Sequence, residues 1–563
     1  DDVTVAAADS SASPEDEDAL GGENSDSSDN DSDSEPEHVQ LPEQSFGARR
    51  DARGNTYFEA DDKAWNFLSR LDSQERVLQH CIHARVKLVD REHIDTNLFR
   101  VCAEIAAHRA KEHALSDPTA ASIALLLHLS LPRMLFARCK PHDAISWKSL
   151  IKGRVERFLA GDWEALWLEA KKAEYSAYSY ADMTRASLEE LAAERGKHGD
   201  IKGAVNALQA NDVLLVRDCE RSGTDRDELI AQWNEKSNVA GRAATKTWQQ
   251  VAWEMQVLDS SEELMVDPAG VSRKVLPTGQ FKLSFDPEEE DGPDGPTLVC
   301  PIEKVLGSLN DQTACGVSGF SNVLYKKLRA QDVRPFIDYF AGNLAVDFSI
   351  EYNEHVRVAV SSARGIGLNK GGGVLRPICI GECLRRFAGR CILAVIKRSG
   401  AGTALGEGLQ FGADVRGGGD LALHMPRAAL EALASASPES LEKLFPSKKI
   451  DIKDGFACLS MDAANAFCSF YIDRVLESVC RRCPQLVGFF SVCYHPNAPA
   501  VVVLDDNSTV AATSLMQGCC ISSLCCACVI LDILESVRDD FKRFNLPARD
   551  EGAADVSLDG WTF

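Results

Sequence analysis

Asp462 closes the apolar run Phe456-Ala457-Cys458-Leu459-Ser460-Met461. A short hydrophobic run ending in a carboxylate reads as a buried strand that delivers the acid to a sheet edge. Asn465-Ala466-Phe467 follow, and then Ile472, Val475, Leu476 and Val479 repeat at helical spacing. The second chemical feature is a local run of positive charge. Residues 361–400 carry eight Lys/Arg (Arg364, Lys370, Arg376, Arg385, Arg386, Arg390, Lys397, Arg398) against Glu382 alone, a local charge of +7. The 563-residue chain as a whole stands at −24, but residues 1–45 contribute 15 Asp/Glu and no Lys/Arg. A basic stretch bears on phosphate binding more directly than the sum over the chain.

Other constellations read as structure. Cys480-x-x-Cys483 has Cys493 and His495 nearby, but Cys480 falls on the predicted amphipathic helix, and a structural zinc site wants four ligands. His80 and His83 flank Cys81 on what reads as a helix surface. Asp505-Asp506-Asn507-Ser508 sits between Ala500–Leu504 and Thr509–Ala512, the pattern of a hairpin turn. The Gly400, Gly402 and Gly406 spacing is wrong for a dinucleotide loop, and the chain lacks a G-x-x-x-x-G-K-[ST] motif. No Ser/His/Asp ordering argues for a hydrolase. The 19 Cys are irregularly spaced in a long chain, which predicts reduced thiols in an intracellular protein.

The elements that must position these residues follow from pattern. With 45% hydrophobic residues the chain can build cores, and collagen-like, coiled-coil and wholly disordered readings fall away. Residues 1–45 are acidic and Ser-rich, and are predicted to be disordered. Residues 60–260 read as a helical domain. Ala121–Leu131 is an apolar helix expected to end at Pro132, and Trp163 and Trp167 are expected on a packed core face. Neither Ala120–Leu131 nor Leu515–Leu531 supplies the roughly 20 apolar residues of a membrane span, so the reading is a soluble protein. Residues 266–298, with Asp267-Pro268-Ala269-Gly270 and Gly292-Pro293-Asp294-Gly295-Pro296, have linker chemistry. Strand and helix patterns alternate from residue 300 to 563, an α+β unit.

The order of features in residues 300–563 resembles the reverse transcriptase of non-LTR (LINE-type) retrotransposons. Thr313-Ala314-Cys315-Gly316-Val317-Ser318-Gly319-Phe320 is similar to the motif such enzymes carry upstream. Asn369-Lys370-Gly371-Gly372-Gly373-Val374-Leu375-Arg376-Pro377-Ile378 looks like the fingers segment, and Gly381–Ala388 like the helix after it. Gln410-Phe411-Gly412 through Gly418-Gly419-Asp420, with His424, resembles the next block. Asp462–Phe467 looks like motif A and Gln517-Gly518 like motif B. The stretch Leu131-Pro132-Arg133-Met134-Leu135 and the run Arg154–Trp163 resemble the segment that precedes the polymerase in these elements.

The resemblance implies a right-hand polymerase with fingers and an antiparallel palm sheet, preceded by an all-α domain and the acidic tail. It implies RNA-templated DNA synthesis from dNTPs on a primer 3′-hydroxyl, with two Mg²⁺ ions. Asp462 would be the first metal ligand. Ser557-Leu558-Asp559-Gly560 stands where the family has its aromatic-x-Asp-Asp hairpin, so Asp559 would be the second. Lys370 and Arg376 would meet the triphosphate, Phe467 the sugar, and Gln517 and Gly518 the template–nucleotide pair. The partners implied are an RNA template, a DNA primer and dNTP, in the nucleus. Two motifs depart from the pattern. Gln517-Gly518-Cys519-Cys520-Ile521-Ser522-Ser523 lacks the Asp and both prolines usual in motif B, and Ser557 and Gly560 replace the aromatic and the second Asp. With no thumb after Phe563, the expectation is a truncated or decayed retroelement product. The alternatives are a non-catalytic nucleic-acid-binding remnant using residues 361–400 and a host-adapted interaction protein.

Overall fold

Asp117 starts a long apolar helix. Its Oδ1 accepts the Ala120 N–H at 3.0 Å, and Pro118 takes the first turn, where a missing N–H costs nothing. The helix, α3 (Pro118–Phe136), passes straight through Pro132. This corrects the expectation that Pro132 ends it. The residues beyond the proline, Met134, Leu135 and Phe136, are buried, and their burial outweighs the lost backbone bond. By length and composition Thr119–Phe136 could cross a membrane, contrary to the sequence reading, but 89% of it is buried inside the protein.

The computed structural model describes residues 48–50, 56–58, 62–72, 88–89, 93–113, 117–139, 145–170, 213–214, 225–238, 301–311, 313–340, 354–370, 373–398, 466–494, 500–506 and 508–545, with single positions at 190, 193, 194, 197, 216, 219, 431, 435 and 437. The acidic tail, the 266–298 segment, residues 410–424, Asp462 and Asp559 lie outside them. From residue 46 onward the chain clusters as one unit.

That unit is a mostly helical α+β structure with a small mixed sheet. A hairpin of β1 (Ala48–Arg50) and β2 (Thr56–Phe58) precedes α1 (Asp62–Asp72), α2 (Thr96–His113), α3, α4 (Trp147–Leu159) and α5 (Trp163–Ala170). Trp163 is buried as expected, edge-on to Trp65 at 4.9 Å and stacked on Phe158 at 5.3 Å. Then come β3 (Val213–Leu214), α6 (Arg226–Ser237), α7 (Pro301–Ser308), α8 (Asn322–Lys326), α9 (Ala330–Phe340) and α10 (Glu354–Ser361). The rest comprises β4 (Ala363–Asn369), β5 (Leu375–Gly381), α11 (Cys383–Arg398), α12 (Ile472–Arg482), α13 (Val487–Cys493), β6 (Ala500–Val503), β7 (Thr509–Ala512) and α14 (Ser522–Asn545).

β4 is the central strand. β5 pairs antiparallel along its whole length, from Ala363↔Gly381 to Asn369↔Leu375. Its other edge is shared: β6 pairs with Ala363 and Arg364, and β3 with Gly367 and Leu368. β7 pairs antiparallel with β6, the hairpin that the Asp-Asp-Asn-Ser turn predicts. The β4–β6 pairing is parallel, so the described sheet is mixed where an antiparallel one was expected. A parallel neighbour requires a long crossover, and α11 to α13 lie within that connection. The segment expected to be all-α also lends β3 to this sheet. Gly365 lets α6 close on β4: a Cβ there would stand 3.0 Å from the Trp233 ring and 2.8 Å from Leu504.

One aromatic cluster joins the helices before residue 260 to the chain after residue 300. His128 of α3 stacks on Phe320 at 4.8 Å and meets Phe336 of α9 at 4.4 Å. Phe320 stacks on Tyr325 at 4.3 Å, and Tyr325 meets Phe387 of α11 at 5.5 Å. His128 is fully buried, its Nε2 is 3.2 Å from the Tyr325 hydroxyl, and burial drives its pKa down to about 3. The folded state therefore binds fewer protons than the unfolded chain between pH 3 and the ordinary histidine value of 6.5. This contribution is fully present above pH 6.5 and is lost as pH falls towards 3. We expect urea denaturation to show wild type losing stability faster than His128→Phe as pH drops from about 6 to 4.5, by up to roughly 1.4 kcal/mol per pH unit. Equal slopes would show that His128 is not held neutral.

Candidate functional site

The site is assembled on β5 from four stretches of chain. The strand's free edge receives the turn before α14: the Cys379 N–H donates to the Gln517 carbonyl at 2.7 Å. Gly518 follows with φ +102, a conformation that side chains other than glycine rarely take. A Cβ at Gly518 would lie 2.7 Å from the Cys379 carbonyl oxygen. The backbone of β5 thus requires glycine at position 518.

α6 clamps the turn end of the β4–β5 hairpin. Gln232 accepts from the Leu375 N–H at 2.9 Å and donates to the Gly373 carbonyl at 3.3 Å, while Lys236 Nζ donates to the Leu375 carbonyl at 2.5 Å. The same helix end holds the second element, since Thr513 N–H and Ser514 Oγ both donate to the Ser237 carbonyl, at 3.2 and 3.0 Å. The short helical turn Ala466–Ser469 arrives from the other side. Its Cys468 Sγ is 3.8 Å from the Leu515 carbonyl, and Phe467 is half-buried against the core. Lys236, Pro377, Cys379, Cys468, Ser514 and Gln517 line the small cleft between these stretches.

Among the residues that sequence singles out, Gln517, Gly518 and Phe467 come together here, beside the strand that bears Arg376. Lys370 lies at the hairpin's turn, exposed, its N–H closing the turn onto the Val374 carbonyl at 2.8 Å. Arg376 is three residues from Cys379 along β5, about 10 Å at roughly 3.3 Å per residue. Strand alternation turns it, with Ile378, to the face opposite Pro377 and Cys379, so Arg376 does not enter the cleft. Asp462 and Asp559 lie outside the described residues. Among the described residues no group of three or more His, Cys, Asp or Glu could hold a metal ion.

Lys236 was not legible as a site residue. Partial burial and the nearby charge of Lys370 pull its ammonium below the usual lysine range. Two lysines that repel one another across a hairpin end favour an anion between them. Conversely, part of the basic segment turns inward. Arg385 is 1% exposed, and Arg386 donates to the Ala314 carbonyl at 2.6 Å. The Asp505-Asp506 pair is structural. Asp505 accepts the Val216 N–H at 2.9 Å, and Asp506 accepts Arg226 at 2.6 Å. Against the push of partial burial, Ser508 and Arg226 hold the Asp506 carboxyl below the usual range. Cys480 and Cys483 are thiols pushed up by burial to about 12 and about 11.

No protein-family model matches this chain, and no match is found among curated proteins or solved structures. The site therefore stands on its own geometry. Gly518→Ala should break the Gln517–Cys379 contact and destabilise the protein by roughly 1–3 kcal/mol, read by chemical denaturation. A change under about 0.5 kcal/mol would show that the turn relaxes freely.

Proposed function

We propose that this chain carries the fingers and palm of an RNA-templated DNA polymerase of the non-LTR retrotransposon kind. The observation that supports it best is the hydrogen bond between β5, the strand with Arg376, and the Gln517-Gly518 turn. The resemblance requires those two segments to flank one nucleotide, and nothing in their sequence spacing requires them to touch. The short turn carrying Phe467, five residues beyond Asp462, lies against the same place.

In this reading the dNTP lies across the free edge of β5, where Arg376 reaches it from one face and the Phe467 turn from the other. The planar guanidinium of Arg376 suits bidentate contact with phosphate oxygens, and Lys370 adds a point charge from the hairpin tip. Lys236 acts indirectly, fixing the Leu375 carbonyl and so the angle of the hairpin. Gln517 and Gly518 hold the template–nucleotide pair against the strand edge, and Phe467 limits the space for a 2′-hydroxyl. Asp462 and Asp559 would hold the two magnesium ions, which when bound stabilise the attacking and leaving oxygens. The second reading, nucleic-acid binding without catalysis, needs only the cations. It is favoured by the half-exposed Arg364 and Arg376, which share one face of β4 and β5.

Primer extension on an RNA template with Mg²⁺ tests the reading. We expect incorporation by wild type and a loss of at least about a hundredfold in Asp462→Ala, on the scale of removing a main electrostatic group. We also expect Lys370→Ala to raise KM for dNTP more than it lowers kcat. Equal, absent incorporation by both proteins would overturn the polymerase. Filter binding over a salt series would then tell whether the binding function survives, because phosphate contacts weaken steeply with salt.

A further inference from the structure

Arg385 of α11 is enclosed at 1% exposure, and an arginine keeps its proton inside proteins. A full positive charge is therefore shut in the core. Its Nη1 donates to the Ser361 carbonyl at 2.8 Å, its plane lies 4.9 Å from the centre of the Tyr494 ring, and its Nε has no partner. Its Nη2 donates to Cys519 Sγ at 3.1 Å. Among the described residues no carboxylate reaches Arg385. A buried charge without a counter-charge costs several kcal/mol, on the order set by ion desolvation. Among the described residues the neighbours of Arg385 that could become anions are the Tyr494 phenol and the thiols of Cys493, Cys519 and Cys520, and of these Arg385 makes direct contact with Tyr494 and Cys519.

The surroundings of the sulfur decide between them. Arg385 Nη2 donates straight to Cys519 Sγ at 3.1 Å, whereas it meets Tyr494 only across the ring face, and the Tyr494 hydroxyl is already engaged by the Ser522 hydroxyl at 3.0 Å and the Met516 N–H at 3.3 Å. A neutral thiol is a weak acceptor, and a guanidinium hydrogen bond for which no carboxylate competes among the described residues suits an anion. Burial opposes ionisation of Cys519, but the Cys520 hydrogen bond and the Arg385 charge pull it well below the usual thiol range. Burial holds the Tyr494 phenol well above its usual value, and drives neighbouring Cys493 up to about 12. Cys519 is 8% exposed and follows the exposed Gly518.

We propose that Cys519 is a thiolate held by the buried Arg385 guanidinium, and that it is the site at which a small peroxide oxidises this protein. In that step the sulfur attacks one oxygen of hydrogen peroxide. The S–O bond forms, the O–O bond breaks, and hydroxide leaves and takes a solvent proton to become water. The sulfur is oxidised by two electrons to a sulfenic acid, and the peroxide is reduced. The added oxygen has to be fitted beside the buried guanidinium already in contact with the sulfur, so the Met516–Cys519 turn must shift. Its shift releases the Cys379 N–H from the Gln517 carbonyl, two residues away. This inference does not rest on the polymerase reading.

The test uses the full chain. Iodoacetamide labelling mapped by mass spectrometry should modify Cys519 at a nearly constant rate from pH 6 to 8, with Cys493 and Cys379 unlabelled. Arg385→Met should cut the rate at pH 6 at least tenfold, and Arg385→Lys should restore most of it. After dilute hydrogen peroxide, dimedone should mark Cys519 first, and the Cys379 amide should exchange faster. Should Arg385→Met fail to fold, the wild-type pH profile alone decides. A rate climbing about tenfold per pH unit, the behaviour of an ordinary thiol, would overturn the proposal. So would native protein that labels at Cys519 only after denaturation, or dimedone on other cysteines with none on Cys519.

Discussion

Residues 316–318 are held between two buried charges of opposite sign, and the packing of the helices against the sheet depends on that grip. Arg133, on the last turn of α3, donates to the Val317 carbonyl at 2.7 Å and to the Ser318 carbonyl at 3.4 Å. Glu382, fully buried at the start of α11, accepts the Ser318 N–H at 3.0 Å and its hydroxyl at 2.6 Å. Neither charge could be enclosed without such partners. The loop satisfies both because its turn at Val317-Ser318 presents carbonyls to Arg133 and the Ser318 N–H and hydroxyl to Glu382. Gly316 is part of the arrangement, since a Cβ there would lie 2.6 Å from the Glu382 backbone.

From this grip the rest follows in short steps. Phe320, just past the loop, completes the aromatic cluster with His128 and Phe336. Glu382 is also the residue after β5, so fixing it fixes the end of that strand. The free edge of β5 then receives the Gln517 carbonyl, and Arg385, one turn into α11, meets Cys519. The Gln517–Cys519 turn is tied on both sides to a single strand–helix unit, once through a backbone bond and once through a sulfur. A polymerase reading and a redox-sensitive turn are compatible on such a frame, because both use the stiffness of that unit and different atoms of the turn.

Two stretches of the chain gain a physical role that pattern alone did not supply. Arg133 lies in the Leu131–Leu135 stretch, and the loop it holds lies in the Thr313–Phe320 stretch. The two stretches touch. Their co-occurrence in one chain has a structural reason whatever the chain's activity is. The basic segment loses force as a single patch, for Arg385 serves the core, Arg386 caps a loop carbonyl, and Arg364 and Arg376 remain half-exposed on one strand face.

Local chemistry was readable without coordinates. The turn residues Asp505–Ser508 announced the β6–β7 hairpin, the spacing of Ile472, Val475, Leu476 and Val479 announced α12, and Trp163 and Trp167 read correctly as core. Each depends on neighbours within a few positions, where propensity and periodicity act. Tertiary contacts decided the rest. Pro132 stays inside α3 because the residues after it are buried and Arg133 is needed at the loop. Val213–Leu214 becomes a strand only because β4 has an unpaired edge to offer. Lys236 joins the site, and Cys519 meets a buried guanidinium, through partners more than a hundred residues away. Which groups share a buried charge or a strand edge depends on where the chain returns in space, and spacing along a sequence carries no record of that return.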